Sequence, residues 1–264
     1  MKIRPLAAVA LLALAAPLAA QEFSGLPEPI SPDRPDFTEG SGLVAPGHLQ
    51  VEGGYTYART GSAKGSSLGE LLVRYGVDDR WEARFGLNSY DWINTGIPGE
   101  KRISGFEDPF LEVKVRLNDA DSNLRAPSVP ALALLLQTTI PVGSRNLTSD
   151  EWQPAAILAM DWDFTDRFSL GGNVGGAYAA DGNERFNQLF LSLSAGYSID
   201  DKLSAFLEGY GFNRESADGS STHYLDTGLS YTVSNDLALD VRVGAGLDDP
   251  HPNWYAGLGA SIRF

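Results

Sequence analysis

Cysteine is absent from the 264 residues of the chain. That excludes a disulfide framework, a thiolate-bound zinc, a thiol nucleophile and an acylated cysteine anchor. Histidine is scarce, and none of His48, His223 and His251 stands at the spacing of a metal-ligating pair. Positive charge is also short: 20 Lys and Arg face 34 Asp and Glu, a net charge of −14. Nucleic acid is bound by clustered Lys and Arg, so it is not expected as a partner. Beyond residue 20 no apolar run is longer than Ala131 to Leu136, far short of the roughly 18 residues that mark a membrane-crossing helix.

The first twenty residues read differently. Lys2 and Arg4 precede an apolar stretch from Leu6 to Leu18, followed by Ala19, Ala20 and polar Gln21 and Glu22. This charged, apolar, small-residue order is that of a secretory signal peptide, and cleavage near Ala20 is expected. Removing Lys2 and Arg4 leaves 18 basic against 34 acidic residues, a net charge of −16. The expected organisation is a signal peptide over 1–20, a Pro-rich segment over 21–46 and a folded body over 47–264.

What fills that body is alternation. Leu237, Leu239, Val241, Val243, Ala245 and Leu247 share one face, and Asp240, Arg242, Gly244 and Gly246 share the other. The same holds for Leu189, Leu191, Leu193, Ala195, Tyr197 and Ile199 against Ser192, Ser194, Gly196 and Ser198, and again from Leu225 to Val233. Twelve such segments are predicted, over about 47–60, 66–77, 80–92, 106–118, 127–141, 152–164, 167–180, 186–199, 202–214, 223–233, 236–248 and 253–264. Tight turns at Asp78-Asp79, Thr165-Asp166, Asp200-Asp201 and Ser234-Asn235, and a longer one from Asp119 to Ala126, alternate with connections such as 94–105, 143–151 and 215–222.

An even strand count with short turns on one rim and long loops on the other predicts an all-β fold: a transmembrane, antiparallel, up-and-down β-barrel of about 12 strands. A soluble β-sandwich also alternates. It would turn its polar face outward, whereas here the charges belong to an inner face: Glu52, Glu70, Arg74, Glu82, Arg84, Glu112, Lys114, Arg116, Asp161, Asp163, Asp240 and Arg242. Burying these dry would be expensive, so a wet, mutually paired, pore-lining role is predicted for them. Aromatics near strand ends suggest girdles, with Trp81, Phe168, Tyr197 and Phe264 at one rim and Tyr57, Trp92, Trp152, Tyr178, Phe212 and Trp254 at the other. The final strand ends on Phe264 after alternating Ala256, Leu258, Ala260 and Ile262, which resembles the C-terminal signal that hands bacterial barrels to the outer-membrane assembly machinery.

Residues 21–46 hold Pro27, Pro29, Pro32, Pro35 and Pro46 and cannot form a helix or strand interior. Either they hang as a periplasmic tail or they plug the lumen, with Asp33, Arg34, Asp36 and Glu39 pairing with wall charges. Gly65-Ser66-Ser67-Leu68-Gly69 has nucleophile-elbow spacing but opens a strand with no helix behind it. Asp161-Trp162-Asp163-Phe164-Thr165-Asp166 lacks the central Gly and closing Glu of a calcium hand. No metal or cofactor is expected.

Ser31-Pro32-Asp33-Arg34-Pro35-Asp36-Phe37-Thr38-Glu39, then 45–55, 104–114, Thr139-Ile140-Pro141-Val142-Gly143 and 248–264 resemble the outer-membrane transporter family named for the phenol meta-degradation pathway. Its most specific string is Asp33 to Glu39, with Pro35 and Phe37 at its centre. The resemblance implies a channel for passive passage of small, aromatic or hydrophobic solutes in a Gram-negative outer membrane. Its expected partners are outer-membrane lipid and lipopolysaccharide, the barrel assembly machinery and the solute. Two alternatives remain at this point: a barrel enzyme acting on lipids, which would need a nucleophile beside His223, and a sealed structural barrel closed by side chains such as Arg74, Arg84 and Arg116.

Overall fold

The computed structural model describes residues 25–100, 102–118, 129–182, 184–248 and 253–264. The expected signal peptide, the Asp119 to Ala126 turn and His251 lie outside the described residues. Thirteen strands follow in chain order: β1 (Leu49–Thr60), β2 (Ala63–Gly76), β3 (Trp81–Asn94), β4 (Ile103–Phe106), β5 (Phe110–Arg116), β6 (Ala131–Thr139), β7 (Pro154–Asp163), β8 (Phe168–Asp181), β9 (Glu184–Ser198), β10 (Leu203–Phe212), β11 (Thr222–Ser234), β12 (Leu237–Gly246) and β13 (Asn253–Arg263). β4 and β5 both pair with β3 and together make one wall strand. Each wall strand pairs antiparallel with its neighbours, and β1–β13 pairing closes a barrel of 12 wall strands. Among the described residues only β4 lacks a strand partner on one side, where Ser144 bonds to Phe106 instead, so little open edge needs protection.

The segment read as one strand over 106–118 is broken at Glu107-Asp108-Pro109. Pro109 has no N–H to give to a ladder, and Phe110 starts a new run against β3 and β6. The long-loop rim also differs from expectation at two hairpins. β1–β2 and β8–β9 turn tightly there, with Gly61 and Gly182 at φ of 56° and 59°.

Alternation sets what each face meets. Leu191 is 62% exposed while adjacent Ser192 is 3% exposed. The largest fully buried side chains are Arg74, Lys114, Leu135, Gln50, Glu52, Glu82, Glu208, Asn173 and Ser261, so the interior is mostly polar and the outside aliphatic. That inversion suits hydrocarbon outside and satisfied charge within. Trp81, Phe168, Tyr197, Trp254 and Tyr178 are exposed on the outer face near the rims. Phe212 is a correction. It shares the inward parity of Phe206, Glu208 and Tyr210 and packs against Phe190 inside.

The face does not follow one parity throughout. β2 and β3 carry bulges at the same level, where Glu70 and Asn88 take φ of 44° and 53°. Below the bulges Glu82 and Arg84 point inward, and above them Ser89 and Asp91 do. An extra residue in each strand reverses its faces. Because the ladder closes on itself, the purified protein should resist detergent until heated and migrate differently on gels when boiled. Identical migration of boiled and unboiled samples would contradict the closed ladder.

Candidate functional site

Residues 25–46 run up inside the barrel and return. At the short-turn rim Ile30 N donates to Asn235 O, Asn235 Nδ2 to Pro27 O, and Arg263 Nη2 to Glu28 O. The chain then climbs to Phe37 and Thr38, which meet Glu208 on β10, and descends past Ser41 to Pro46, which bridges to Gly76. A segment rich in proline cannot satisfy its own backbone donors by regular structure. The wall supplies the acceptors. Asp33 N and Arg34 N each reach Glu52 Oε2 at 3.1 Å. Phe37 N and Thr38 N donate to Glu208 at 2.7 Å, Ser41 N to Asp161 at 2.5 Å and Val44 N to Glu82 at 2.6 Å. Asn173 on β8 accepts from Glu39 N at 2.7 Å and returns a bond to Glu39 O at 2.8 Å. The inward carboxylates are thus plug holders as well as ion-pair partners.

Asp33 and Arg34, adjacent in sequence, read different stretches of the wall: Asp33 meets β2, β3 and β5, and Arg34 meets β2 and β12. The Asp33 carboxylate lies between Arg74 at 3.1 Å, Lys114 at 3.5 Å and Arg84. The Arg34 guanidinium turns to Glu70 and to Asp240 at 3.3 Å. It lies flat on Gly54 and Gly259, where a Cβ would collide with it; both positions require glycine for this close approach. Arg84 meets two plug carboxylates, Asp33 and Glu39, and two wall carboxylates, Glu82 and Glu112. Arg242 donates to Pro35 O at 2.9 Å and Asp36 accepts from Ser194 Oγ at 2.9 Å. All six family-string residues, Asp33, Arg34, Pro35, Asp36, Phe37 and Glu39, belong to the plug.

The plug divides the lumen. One space of about 350 Å³ lies toward the short-turn rim among Ser194, Gly196, Ser204 and Thr232. Another, of about 460 Å³, lies toward the long loops among Thr56, Glu70, Asn88, Glu107 and Arg242. Beside Phe37 stand Phe190, Tyr210, Phe212, Tyr224 and Tyr255. Behind these rings, outward-facing Gly209 and Gly211 leave a groove of about 600 Å³ between the leucines of β9 and His223.

Residues 32–264 match the family described as "Putative MetA-pathway of phenol degradation". The chain belongs to this family. The match begins within the plug and runs to Phe264, so plug and wall fall inside one family pattern. No curated protein sequence matches. Among solved structures, the COG4313 outer membrane channel from Pseudomonas putida F1 superposes with a TM-score of 0.68 at 14% identity, covering 89% of this chain and 100% of that one. The KdgM porin in complex with oligogalacturonate gives 0.54 at 12% identity, covering 81% and 99%. The translocator domain of autotransporter NalP from Neisseria meningitidis gives 0.51 at 11%, covering 82% and 88%. At these identities the likeness is one of fold, the outer-membrane barrel.

Of the charges expected on the inner face, Glu52, Arg74, Glu82, Arg84, Glu112, Lys114 and Asp240 are buried there, and Glu70, Asp161 and Arg242 are partly so. Arg116 is half-buried at the short-turn end of β5. Asp163 differs: it ends β7 at the rim, opposite Ser169, and is exposed. The plug covers most of these groups, so they meet plug atoms as well as one another. Sequence reading missed Glu208 and Asp226, which face each other across β10 and β11, and Glu107 and Asp91 above the bulges. Alternation with Tyr210 and Tyr224 contained the first pair. Ile262 faces outward, and Phe264 exchanges backbone hydrogen bonds with Leu49. His223 pairs with Asp248 at 3.1 Å, and no hydroxyl among the described residues hydrogen-bonds to its ring.

At the break between β4 and β5, Asp108 accepts from Gly143 N at 2.8 Å, Ser149 N at 2.9 Å and Ser149 Oγ at 3.0 Å, pinning the 142–151 loop. Protection of this loop against proteolysis therefore rests on the Asp108 carboxylate. Asp108→Asn should weaken it at neutral pH by about 1–2 kcal/mol. Unchanged cleavage of the variant at pH 7 would contradict this role.

Proposed function

We propose that the protein is an outer-membrane channel for passive diffusion of small solutes, aromatic ones among them, and that residues 25–46 are its closed-state barrier. The observation that carries this reading is a barrel whose polar lumen holds a space on each side of a plug that is tethered to β1 and held against the wall by non-covalent contacts. A sealed structural barrel has no need of a removable segment, and side chains crossing between wall strands would close it. In this reading the short-turn rim is periplasmic, the aliphatic outer face meets outer-membrane lipid and lipopolysaccharide, residues 1–20 are removed on export, and Phe264 with Ile262 serves recognition by the barrel assembly machinery. The lumen charges shape the path by local field and width. Family membership supports an aromatic solute without fixing one.

Liposome swelling and planar-bilayer recording on the purified protein provide the test. Entry of a small arene, or intermittent conductance steps, is expected. Absence of both, in the wild type and after deletion of residues 25–46, would sink the channel, and lipid hydrolysis by wild type and a His223→Ala variant would then become the question.

A further inference from the structure

The ring of Phe37 has an unusual setting for a residue in an otherwise ionic plug. It stacks on Tyr210 with centroids 4.4 Å apart and planes 13° from parallel, and Tyr210 stacks in turn on Tyr224 at 4.9 Å and 14°. Phe190 and Phe212 close on Phe37 edge-first, at 5.6 Å and 82° and at 5.5 Å and 77°. Phe212 is also edge-on to Tyr210, at 90°. Offset stacking on one face with edges directed at the ring is the arrangement aromatic pairs prefer. Four wall side chains from β9, β10 and β11 thus build a slot for one planar ring.

The slot is preformed by the wall. Tyr210 is fixed from behind by Tyr224 and at its hydroxyl by Tyr255, 3.1 Å away, whose own hydroxyl donates to Asp226 at 2.8 Å. Gly175, opposite Phe190 in register, leaves the space over which the Phe190 ring lies, and a Cβ there would collide with it. Among the described residues, the backbone of Phe37 is held by contrast at its N–H, by Glu208.

We infer that this slot is a binding site for a monocyclic arene and that Phe37 is its tethered occupant in the closed protein. The inference rests on the channel reading and specifies it. An arene from the long-loop side competes with Phe37 for the face of Tyr210. Its binding releases the apex of the plug, so the solute loosens the barrier to its own passage. Aliphatic molecules of equal size lack the π-face that the edges of Phe190 and Phe212 address and compete poorly. If Phe37 fills the slot in about nine molecules in ten, its removal should raise apparent arene affinity roughly tenfold, because the competent fraction rises to one.

The test places 4-fluorophenylalanine at position 37 and follows its ¹⁹F signal in detergent-solubilised protein. Titration with phenol should convert a broad signal, shifted by ring currents, into a narrow one typical of a mobile ring. Cyclohexanol, matched in size and hydroxyl, should not. Tyr210→Leu should give the mobile signal without ligand, while a retained heat-dependent gel shift shows the barrel intact. Phe37→Ala should bind phenol about tenfold more tightly by calorimetry. A signal unmoved by phenol, or moved equally by cyclohexanol, overturns the ring site even if liposomes admit phenol. Displacement by phenol without flux into liposomes leaves the ring site standing and overturns the channel.

Discussion

Deleting residues 25–46 should raise mean single-channel conductance on the order of a hundredfold and make the open pore prefer cations. The first figure follows from retention. A plug held by about 3 kcal/mol, the loss expected on breaking one buried ion pair, is displaced in under about 1% of molecules. Removing it raises that fraction to one. The preference follows from charge. The inner wall carries Glu52, Glu70, Glu82, Asp91, Glu107, Glu112, Asp161, Glu208, Asp226 and Asp240 against Arg74, Arg84, Lys114, Arg116 and Arg242. Acids outnumber bases even with buried Arg263 counted, and rings of carboxylates select cations. The wall ladder is untouched, so the gel shift should survive. Unchanged conductance in a folded deletion variant would show that something other than this segment bars the lumen.

Arg84→Ala should release the plug by point mutation. The residue is almost fully buried and its guanidinium joins Asp33 and Glu39 of the plug to Glu82 and Glu112 of the wall. Truncation leaves four carboxylates with Arg74 and Lys114 as their remaining neighbours, and losing one partner of a buried ion cluster is expected to weaken the folded arrangement by about 3–5 kcal/mol. Most of that loss should fall on docking of the plug, because β3 keeps its backbone pairs with β2 and β5. Protease sensitivity of residues 25–46 and a raised conductance baseline are the readouts. The deletion background provides the control. There Arg84 has lost two of its four partners, so the same substitution should change conductance far less, and equal effects in both backgrounds would remove Arg84 from any role in holding the plug.

Much of the wall was legible because a barrel strand meets two solvents, and a period of two records both. Leu189 to Ile199 and Leu237 to Leu247 needed nothing more, and the paired set of Glu82, Arg84, Glu112 and Lys114 followed from parity. Parity failed where the backbone breaks it. The doubled bulge at Glu70 and Asn88 hid Asp91, and Pro109 split a strand that composition ran through. Phe212 was misplaced because closeness to a rim does not say which face a ring takes. The plug was the least legible part. Asp33 to Glu39 has no period, and its hydrogen-bond and ion-pair partners lie on eight different wall strands, so only three-dimensional closure tells a plug from a tail. The carboxylates that hold its backbone appear in sequence as ordinary lumen charges.

The path of that segment has a topological consequence. Its ascending and descending limbs both leave through the short-turn rim, near Asn235 on one side and at the Pro46–Gly76 bridge on the other. It enters as a doubled-back loop, without threading the barrel from end to end. Withdrawal therefore separates no wall strand and pulls no free end through the lumen, and the seam between β1 and β13 can stay zipped over its eleven register pairs while the loop comes and goes. On the proposed channel reading, opening and reclosing is then a reversible excursion at one mouth of the barrel, with β1 as the leash that returns the loop to it.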